Sequence, residues 1–291
     1  MDGLAIIFAI CATFSWGLTL LLMKVGVDRM DWVGFGMLRP WMALPFILVY
    51  AVLTGGFDFV SGRLTAFALA SGVVNALFGT ALYYYALSRV SMHEVNILAN
   101  TNPFWGVVSA IVVLGEPAQL ITIGAGVLVL GGTYFLVRRD RGAGRSHNLT
   151  GLLAALGAGM LWGFSSTVLS KICMDGGMSP ITYQLLFTCS AAATWTLVAL
   201  PRICRGRLRF GKKDLWVAFG SSLFGLFVGW VFWLTALQRV TASALSPLIS
   251  LSLLFATILG AVVLKERVTR RIMIGGALVV AGVLLVAIFG S

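Results

Sequence analysis

The sequence predicts an all-α membrane protein in which ten transmembrane helices form two inverted five-helix repeats around a central cavity. Composition is the first reason: 59% of the 291 residues are hydrophobic and 11% are charged, whereas a soluble domain carries roughly 25% charged residues. The second reason is a series of ten apolar stretches, each close to the roughly 20 residues that a spanning helix needs. The third is an internal sequence repeat. The loops left over are short, so we expect no extramembrane domain.

The ten apolar stretches follow one another with short polar or glycine-rich separators. The predicted spans are 3–25, 32–53, 64–87, 93–114, 118–137, 149–171, 180–201, 214–237, 242–264 and 269–289. The first span has no basic residue before it and is one of ten similar segments. We therefore expect it to be a retained helix rather than a signal peptide.

The internal repeat divides the chain into two halves. ALSRV at 86–90 returns as ALQRV at 236–240, and Glu116 returns as Glu266, both at an offset of 150 residues. A Trp-Gly pair at 16–17 returns at 162–163. These matches predict a first repeat over 1–137, a basic linker over 138–148 and a second repeat over 149–291. Because five is an odd number of helices, the second copy must be inverted, as in many secondary transporters.

Basic residues predict the orientation, because cytoplasmic loops retain Lys and Arg during insertion. Of the 21 Lys and Arg residues, 17 lie in the loops after helices 1, 3, 5, 7 and 9, and three lie on the opposite side. We therefore expect the odd-numbered loops in the cytoplasm and both termini outside, in the plasma membrane (the inner membrane of a bacterium). The net charge of +11 then reports orientation and not a nucleic-acid partner.

These motifs resemble the drug/metabolite transporter superfamily, in its ten-helix branch built from two EamA-type repeats. The Trp-Gly pair in the first helix of each half, A-L-x-R-V at the end of helices 3 and 8, and the Glu that closes helices 4 and 9 carry the resemblance. It covers essentially the whole chain. It implies a transporter of small organic solutes, often an exporter of amino acids or metabolites, with a cavity lined mainly by helices 1, 3, 4, 6, 8 and 9.

One departure from the repeat concerns proline. Pro103 in helix 4 falls opposite Leu253 in the second half, and helix 9 has Pro247 instead. Because proline inside a helix removes a hydrogen bond and bends the axis, the sequence predicts that the two halves bend at different depths.

Polar residues in predicted spans are candidate substrate ligands, because polar groups at mid-membrane face the bundle interior. In helix 4 three of them have the i, i+3, i+7 spacing of a single helix face, and serines occupy the matching positions of helix 9. A binding cavity and interhelical hydrogen bonding both explain these stripes. The polar candidates are His93, Asn96, Asn100, Ser246, Ser250 and, in the middle of helix 3, Asn75.

Aromatic residues form the second candidate set, since their faces and indole N–H groups suit amphiphilic or cationic solutes. The alternative is an aromatic belt at the membrane interface, which fits poorly for residues at mid-helix. The aromatic candidates are Trp16, Tyr83, Trp162, Trp230 and Trp233. We expect Trp195, by contrast, to serve in packing or lipid contact.

Three charged residues are candidates for gates or structural ion pairs: Arg39 inside helix 2, and Glu116 and Glu266 at the ends of helices 4 and 9. Arg39 has two further interpretations, attraction of a substrate carboxylate and snorkelling towards the headgroups. All ten acidic residues fall in loops or at helix ends. A proton antiporter driven by a carboxylate in mid-membrane is therefore not expected.

The favoured function is a secondary transporter that moves small organic solutes by alternating access, in export or facilitated efflux of amino acids or amphiphilic metabolites. The alternative within transport is uptake of a cationic or nucleotide-linked solute. An intramembrane enzyme is disfavoured because the sequence contains no catalytic motif. We expect no cofactor and no metal. The expected partners are the small-molecule substrate and the lipid bilayer, with a monomer sufficient and a dimer as the alternative.

Overall fold

The structure, a computed structural model, describes residues 2–55, 57–58, 61–90, 95, 98–117, 119–137, 148–263 and 270–289. Regular structure within these ranges is helical, without strands. The helices are α1 (Gly3–Arg29), α2 (Trp32–Thr54), α3 (Gly62–Gly72, Val73–Gly79 and Thr80–Arg89), α4 (Asn102–Leu114), α5 (Leu120–Val137), α6 (Leu149–Phe164, Ser165–Leu169 and Ser170–Asp175), α7 (Pro180–Cys204), α8 (Lys212–Ser222, Leu223–Val228 and Gly229–Leu237), α9 (Ala242–Leu245, Ser246–Ser250 and Leu251–Val263) and α10 (Arg270–Phe289).

Seven of these helices are long and apolar enough to cross a membrane, namely α1, α2, α3, α6, α7, α8 and α9. Helices α4, α5 and α10 contain shorter apolar stretches within the described residues. The prediction of an all-helical fold is therefore confirmed for the described residues, with seven candidate membrane spans. The count of ten crossings stays a prediction.

Polar residues fix where several helices begin. The Asp31 carboxylate accepts hydrogen bonds from the backbone N–H groups of Val33 and Gly34, at 3.0 and 3.1 Å. Ser179 accepts from the N–H of Thr182 at 3.4 Å. These N-caps satisfy donors that the first helical turn leaves unpaired. They explain why α2 and α7 begin at 32 and 180, where the apolar pattern predicts.

Helix packing repeats between the halves. Helix α1 packs against α8 and α9, and its counterpart α6 packs against α3 and α4. Helix α2 packs against its counterpart α7, and α5 packs against its counterpart α10. The main contacts therefore cross from one half to the other, and the core lies between them.

The glycine of each Trp-Gly pair permits a close approach between helices. A Cβ atom on Gly17 would lie 2.7 Å from Cβ of Phe255 in α9. One on Gly163 would lie 2.9 Å from the backbone nitrogen of Gly106 in α4. Any larger residue would push the two helices apart, which gives the repeated motif a packing role.

Irregular backbone also falls at equivalent positions. Helices α3 and α8 widen into π-helical turns over Val73–Gly79 and Leu223–Val228, 150 residues apart. In α9 the 3-10 segment Ser246–Ser250 corresponds to positions 96–100, which adjoin a turn at 100–101 before α4. Pro103 lies in the first turn of α4, where proline is tolerated. The expectation that the halves bend at different depths stays a prediction, because positions 96 and 97 lie outside the described residues.

Candidate functional site

A cavity of about 160 Å³ lies between the two halves. Its walls come from α1, α3, α4, α6, α8 and α9, and also from α2 and α7. An apolar cavity of about 150 Å³ can hold a ring the size of benzene. The space therefore suits part or all of a small organic solute.

Five of the predicted ligands line this cavity: Trp16, Asn75, Asn100, Trp162 and Trp230. They come from both halves and from separate helices, so only the folded chain brings them together. Trp230 is 4% exposed and lies edge-on to Trp16, with ring centroids 5.9 Å apart. The wall is thus largely aromatic, with amide groups at intervals.

Four other candidates lie outside the lining. Tyr83 packs beside Trp162 with centroids 5.2 Å apart. The Trp233 indole is fully buried and donates to the Ser166 carbonyl at 2.9 Å. Their rings support residues of the cavity wall without reaching the cavity itself.

The two serines of α9 are also behind the wall. The Ser246 hydroxyl is 3.1 Å from that of Thr167 in α6, and Ser250 donates to the Pro247 carbonyl. For these two serines the contacts favour hydrogen bonding within and between helices, which was the alternative to a binding cavity as the explanation of the polar stripe. His93, Asn96 and Glu266 lie outside the described residues.

The repeated tryptophans make equivalent hydrogen bonds. Trp16 Nε1–H donates to the Gly225 carbonyl in α8 at 3.2 Å, and Trp162 Nε1–H donates to the Asn75 carbonyl in α3 at 3.2 Å. Both acceptors lie in π-helical turns, 150 residues apart. Each half thus inserts its tryptophan into the third helix of the other half. The indole N–H groups, expected to bind substrate, are bonded to the protein, and the ring faces remain for contact.

Helix α7 donates hydrogen bonds to the carbonyl that follows each of these two acceptors in the π-helical turns. Trp195 Nε1–H donates to the Ala76 carbonyl, and the Gln184 amide donates to the Leu226 carbonyl. Carbonyl groups inside a membrane need such partners, especially where a π-helical turn alters the regular pairing. Trp195 is 2% exposed and belongs to a buried hydrophobic cluster, so the expected packing role is confirmed and a lipid contact is not what the structure shows. The ring also lines the cavity, which the sequence did not predict. Its place in the wall depends on Gly36, where a Cβ would lie 2.8 Å from the ring.

Arg39 also lines the cavity and is 8% exposed. Its Cζ atom lies 5.7 Å from the centre of the Phe35 ring. Among the described lining residues it is the one with a charged side chain. Its Nε has no hydrogen-bond partner, and it forms no ion pair within the described part of the chain. A structural ion pair is therefore not what holds Arg39 here.

Glu116 joins the end of α4 to the start of α9. Its two carboxylate oxygens accept hydrogen bonds from the backbone N–H groups of Ala242 and Ser243, each at 2.8 Å. A carboxylate is favourable at a helix N-terminus, where the N–H groups concentrate positive potential. Glu116 thus bonds to backbone amides, and none of the ion pairs in the described ranges includes it.

Comparison with known proteins identifies the fold and the family. The sequence model of the EamA-like transporter family matches residues 3–138 and 149–288. The chain belongs to the EamA-like transporter family. The resemblance to the drug/metabolite transporter superfamily is thereby confirmed. A solved crystal structure superposes on this EamA-like chain with a TM-score of 0.82 at 17% identity, covering 97% of this chain and 95% of that one.

Named relatives of this EamA-like protein agree with the family. The Bacillus subtilis protein "Uncharacterized transporter YoaV" is 22% identical over 95% of this chain and 94% of its own length. An "Uncharacterized transporter" of Archaeoglobus fulgidus is 21% identical over 97% of both chains. A Pseudomonas fluorescens protein, "Probable 4-amino-4-deoxy-L-arabinose-phosphoundecaprenol flippase subunit ArnE", is 40% identical over 30% of this chain and 71% of its own. Family and names together indicate a multi-pass membrane transporter and not an enzyme.

Proposed function

We propose that this transporter is a secondary transporter that moves small organic solutes by alternating access, in export or facilitated efflux of amino acids or amphiphilic metabolites. The reciprocal anchoring of Trp16 and Trp162 at 3.2 Å is the observation that carries the proposal. It places equivalent parts of both halves around one cavity. Two halves related in this way have inward-open and outward-open arrangements of similar energy, as inverted-repeat transporters require.

The proposed topology has ten crossings, with inverted repeats over 1–137 and 149–291 joined by the 138–148 linker. The odd-numbered loops lie in the cytoplasm and both termini lie outside, in a plasma membrane or bacterial inner membrane. Ion pairs support the grouping of the loops. Arg29 pairs with Asp214 at 3.0 Å, and Arg239 pairs with Asp2 at 3.2 Å. Each pair joins two segments that the basic-residue count assigns to one side.

The bond from Glu116 to the start of α9 is, in this proposal, a gate latch. It links the end of α4, in the first half, to the start of α9, in the second half. These two halves must move relative to each other during alternating access. Its repeat counterpart Glu266 would serve the opposite face in the alternate conformation. One carboxylate per face would then stabilise each closed gate.

Transport in reconstituted vesicles tests the proposal. The purified chain in liposomes should move at least one solute from a panel of amino acids and quaternary amines faster than empty vesicles, with or without a pH gradient. Trp16→Ala should lower that flux, and Trp216→Ala should not, because Trp216 is 64% exposed and lies outside the cavity. Flux equal to that of empty vesicles for every solute would overturn the proposal.

Uptake of a cationic solute is the weaker candidate. An aromatic wall suits cations, but Arg39 belongs to the lining of the same cavity, and its positive charge repels them. The quaternary amines in the panel test this candidate, because their flux shows whether the protein transports a cation.

A further inference from the structure

The guanidinium of Arg39, which has no anionic partner among the described residues, points to the substrate class of this transporter. The side chain is 8% exposed, lines the cavity and has no hydrogen-bond partner at Nε. The polar group next to it is the phenol of Tyr84, which brings no negative charge in its protonated form. The positive charge of Arg39 is therefore not balanced by its neighbours in the described part of the chain.

Burial of a charge without a partner is costly, so such groups are normally paired or hydrogen bonded. The other polar side chains of the described lining are amides and hydroxyls, including Asn75 and Asn100, and none is a carboxylate. The cavity therefore has a positive charge that these residues do not neutralise. An anion that enters it would supply the missing partner.

A guanidinium suits a planar or tetrahedral oxyanion, because its paired N–H groups bind carboxylate or phosphate oxygens two at a time. Nη2 of Arg39 lies 2.9 Å from the position that a Cβ atom of Gly225 would occupy. Only glycine at position 225 therefore allows the guanidinium to lie here, beside the lining of the cavity.

We infer that the cavity selects solutes with an oxyanion, a carboxylate or a phosphate, that pairs with Arg39 while the apolar part of the solute packs on Trp16 and Trp162. The inference rests on the proposed transport function and narrows its substrates to anions or to zwitterions with a carboxylate. Ammonium groups alone meet repulsion from Arg39. Neutral isosteres leave its charge unpaired.

Binding of four small aromatic probes tests the inference. Benzoate, phenyl phosphate, benzamide and benzylammonium share one ring and differ in the polar group. Quenching of tryptophan fluorescence reports binding to the purified full-length protein, because four tryptophans line the cavity. Benzoate or phenyl phosphate should bind at least about tenfold more tightly than benzamide, which is about 1.4 kcal/mol. Whichever of these two anions binds more tightly shows whether the site prefers a carboxylate or a phosphate.

Variants at position 39 link the preference to the guanidinium. Arg39→Gln should remove the advantage of the anions over benzamide. Arg39→Lys should keep part of it, since lysine retains the charge without the planar fork. Arg63→Gln is the control, because Arg63 lies outside the cavity lining and should behave as the wild type. If Arg39→Gln does not fold, the test still has two measurements: the affinities of the four probes for the wild type, and the change in the anion preference in Arg39→Lys.

Failure of the inference and failure of the transport proposal have different signatures. Equal or tighter binding of benzamide or benzylammonium, no binding of any probe, or an anion preference that survives in Arg39→Gln would overturn the inference. Flux of other solutes above that of empty vesicles would then leave the transport function standing. Anion binding without any flux above empty vesicles would overturn transport alone.

Discussion

Ser71 in α3 and Ser221 in α8 occupy equivalent positions of the repeat, yet their hydroxyl groups meet different surroundings. The Ser71 hydroxyl is 2.8 Å from that of Ser165 in α6 and also bonds to the Tyr183 hydroxyl of α7. The Ser221 hydroxyl is buried and has no hydrogen-bond partner. The two halves therefore share their helix arrangement but not the polar chemistry around it.

Charge is distributed unequally as well. Arg39 of α2 stands beside Gly225, in the π-helical turn of α8. In the second half, the corresponding stretch of α7 at 185–189 reads LLFTC and has no charged residue. The tryptophan anchors are equal in the two halves, which suits exchange between two conformations. The substrate site that we propose combines Trp16 and Trp162, one from each half, with Arg39, which has no charged counterpart in that stretch of the second half.

The largest effect is expected where the halves are alike. Trp16→Ala and Trp162→Ala should each lower the free energy of unfolding by about 3 kcal/mol, the low end for buried tryptophan, because both rings are half-buried. Thermal unfolding in detergent measures this, with Trp216→Ala as an exposed control. Shifts that differ by more than about twofold between Trp16→Ala and Trp162→Ala would contradict equivalent anchoring.

Effects of different sign are expected where the halves differ. Ser71→Ala should destabilise the protein by about 1–3 kcal/mol, because the hydroxyls of Ser165 and Tyr183 lose a partner. Ser221→Ala should be neutral or stabilising, because it removes a buried hydroxyl that has no hydrogen bond. Thermal unfolding of both variants under one condition compares them. Equal destabilisation by both substitutions would show that the polar asymmetry is unimportant.

The smallest effect is expected at the proposed latch. Glu116→Gln keeps the shape of the side chain, but the amide has a single acceptor oxygen: one charge-assisted hydrogen bond becomes a weaker neutral one, and the other backbone N–H faces an NH2 group that cannot accept. It should lower the free energy of unfolding by about 1 kcal/mol and change the flux in vesicles. Asp175→Asn is the control: it removes an ion pair to Lys171 in which the Asp175 side chain is 59% exposed, and such pairs contribute little. An unchanged flux in Glu116→Gln would reduce Glu116 to a structural cap.

Much of the fold follows from length and apolar composition. The span predicted at 32–53 is observed as Trp32–Thr54, between the Asp31 N-cap and a left-handed Gly55 with φ of 103°. Apolar runs, N-caps and glycine ends are local properties of the chain, so a single sequence reveals them. The repeat adds which helices correspond, because matching residues recur at a fixed offset.

The π-helical turns, and the burial of Arg39 without an ion pair in the described part of the chain, could not be predicted in this way. VVNALFG and LFGLFV have the composition of ordinary apolar helix, and the donors that bond to their carbonyls come from helices far along the chain. The sequence places Arg39 inside a helix but does not tell whether a partner approaches it. The place of Trp195 in the cavity wall was not predicted for the same reason, because it depends on contacts with distant helices such as the hydrogen bond to the Ala76 carbonyl.

The exchange of tryptophans between the halves has a consequence for how the sequence can diverge. Residue pairs that contact reciprocally are the mark of an isologous interface between two identical subunits, and here both partners belong to one polypeptide. Trp16 serves a carbonyl of the second half and Trp162 serves a carbonyl of the first. A substitution of either tryptophan removes one of the two hydrogen bonds that join the halves, so each half limits which residues the other can accept at these positions.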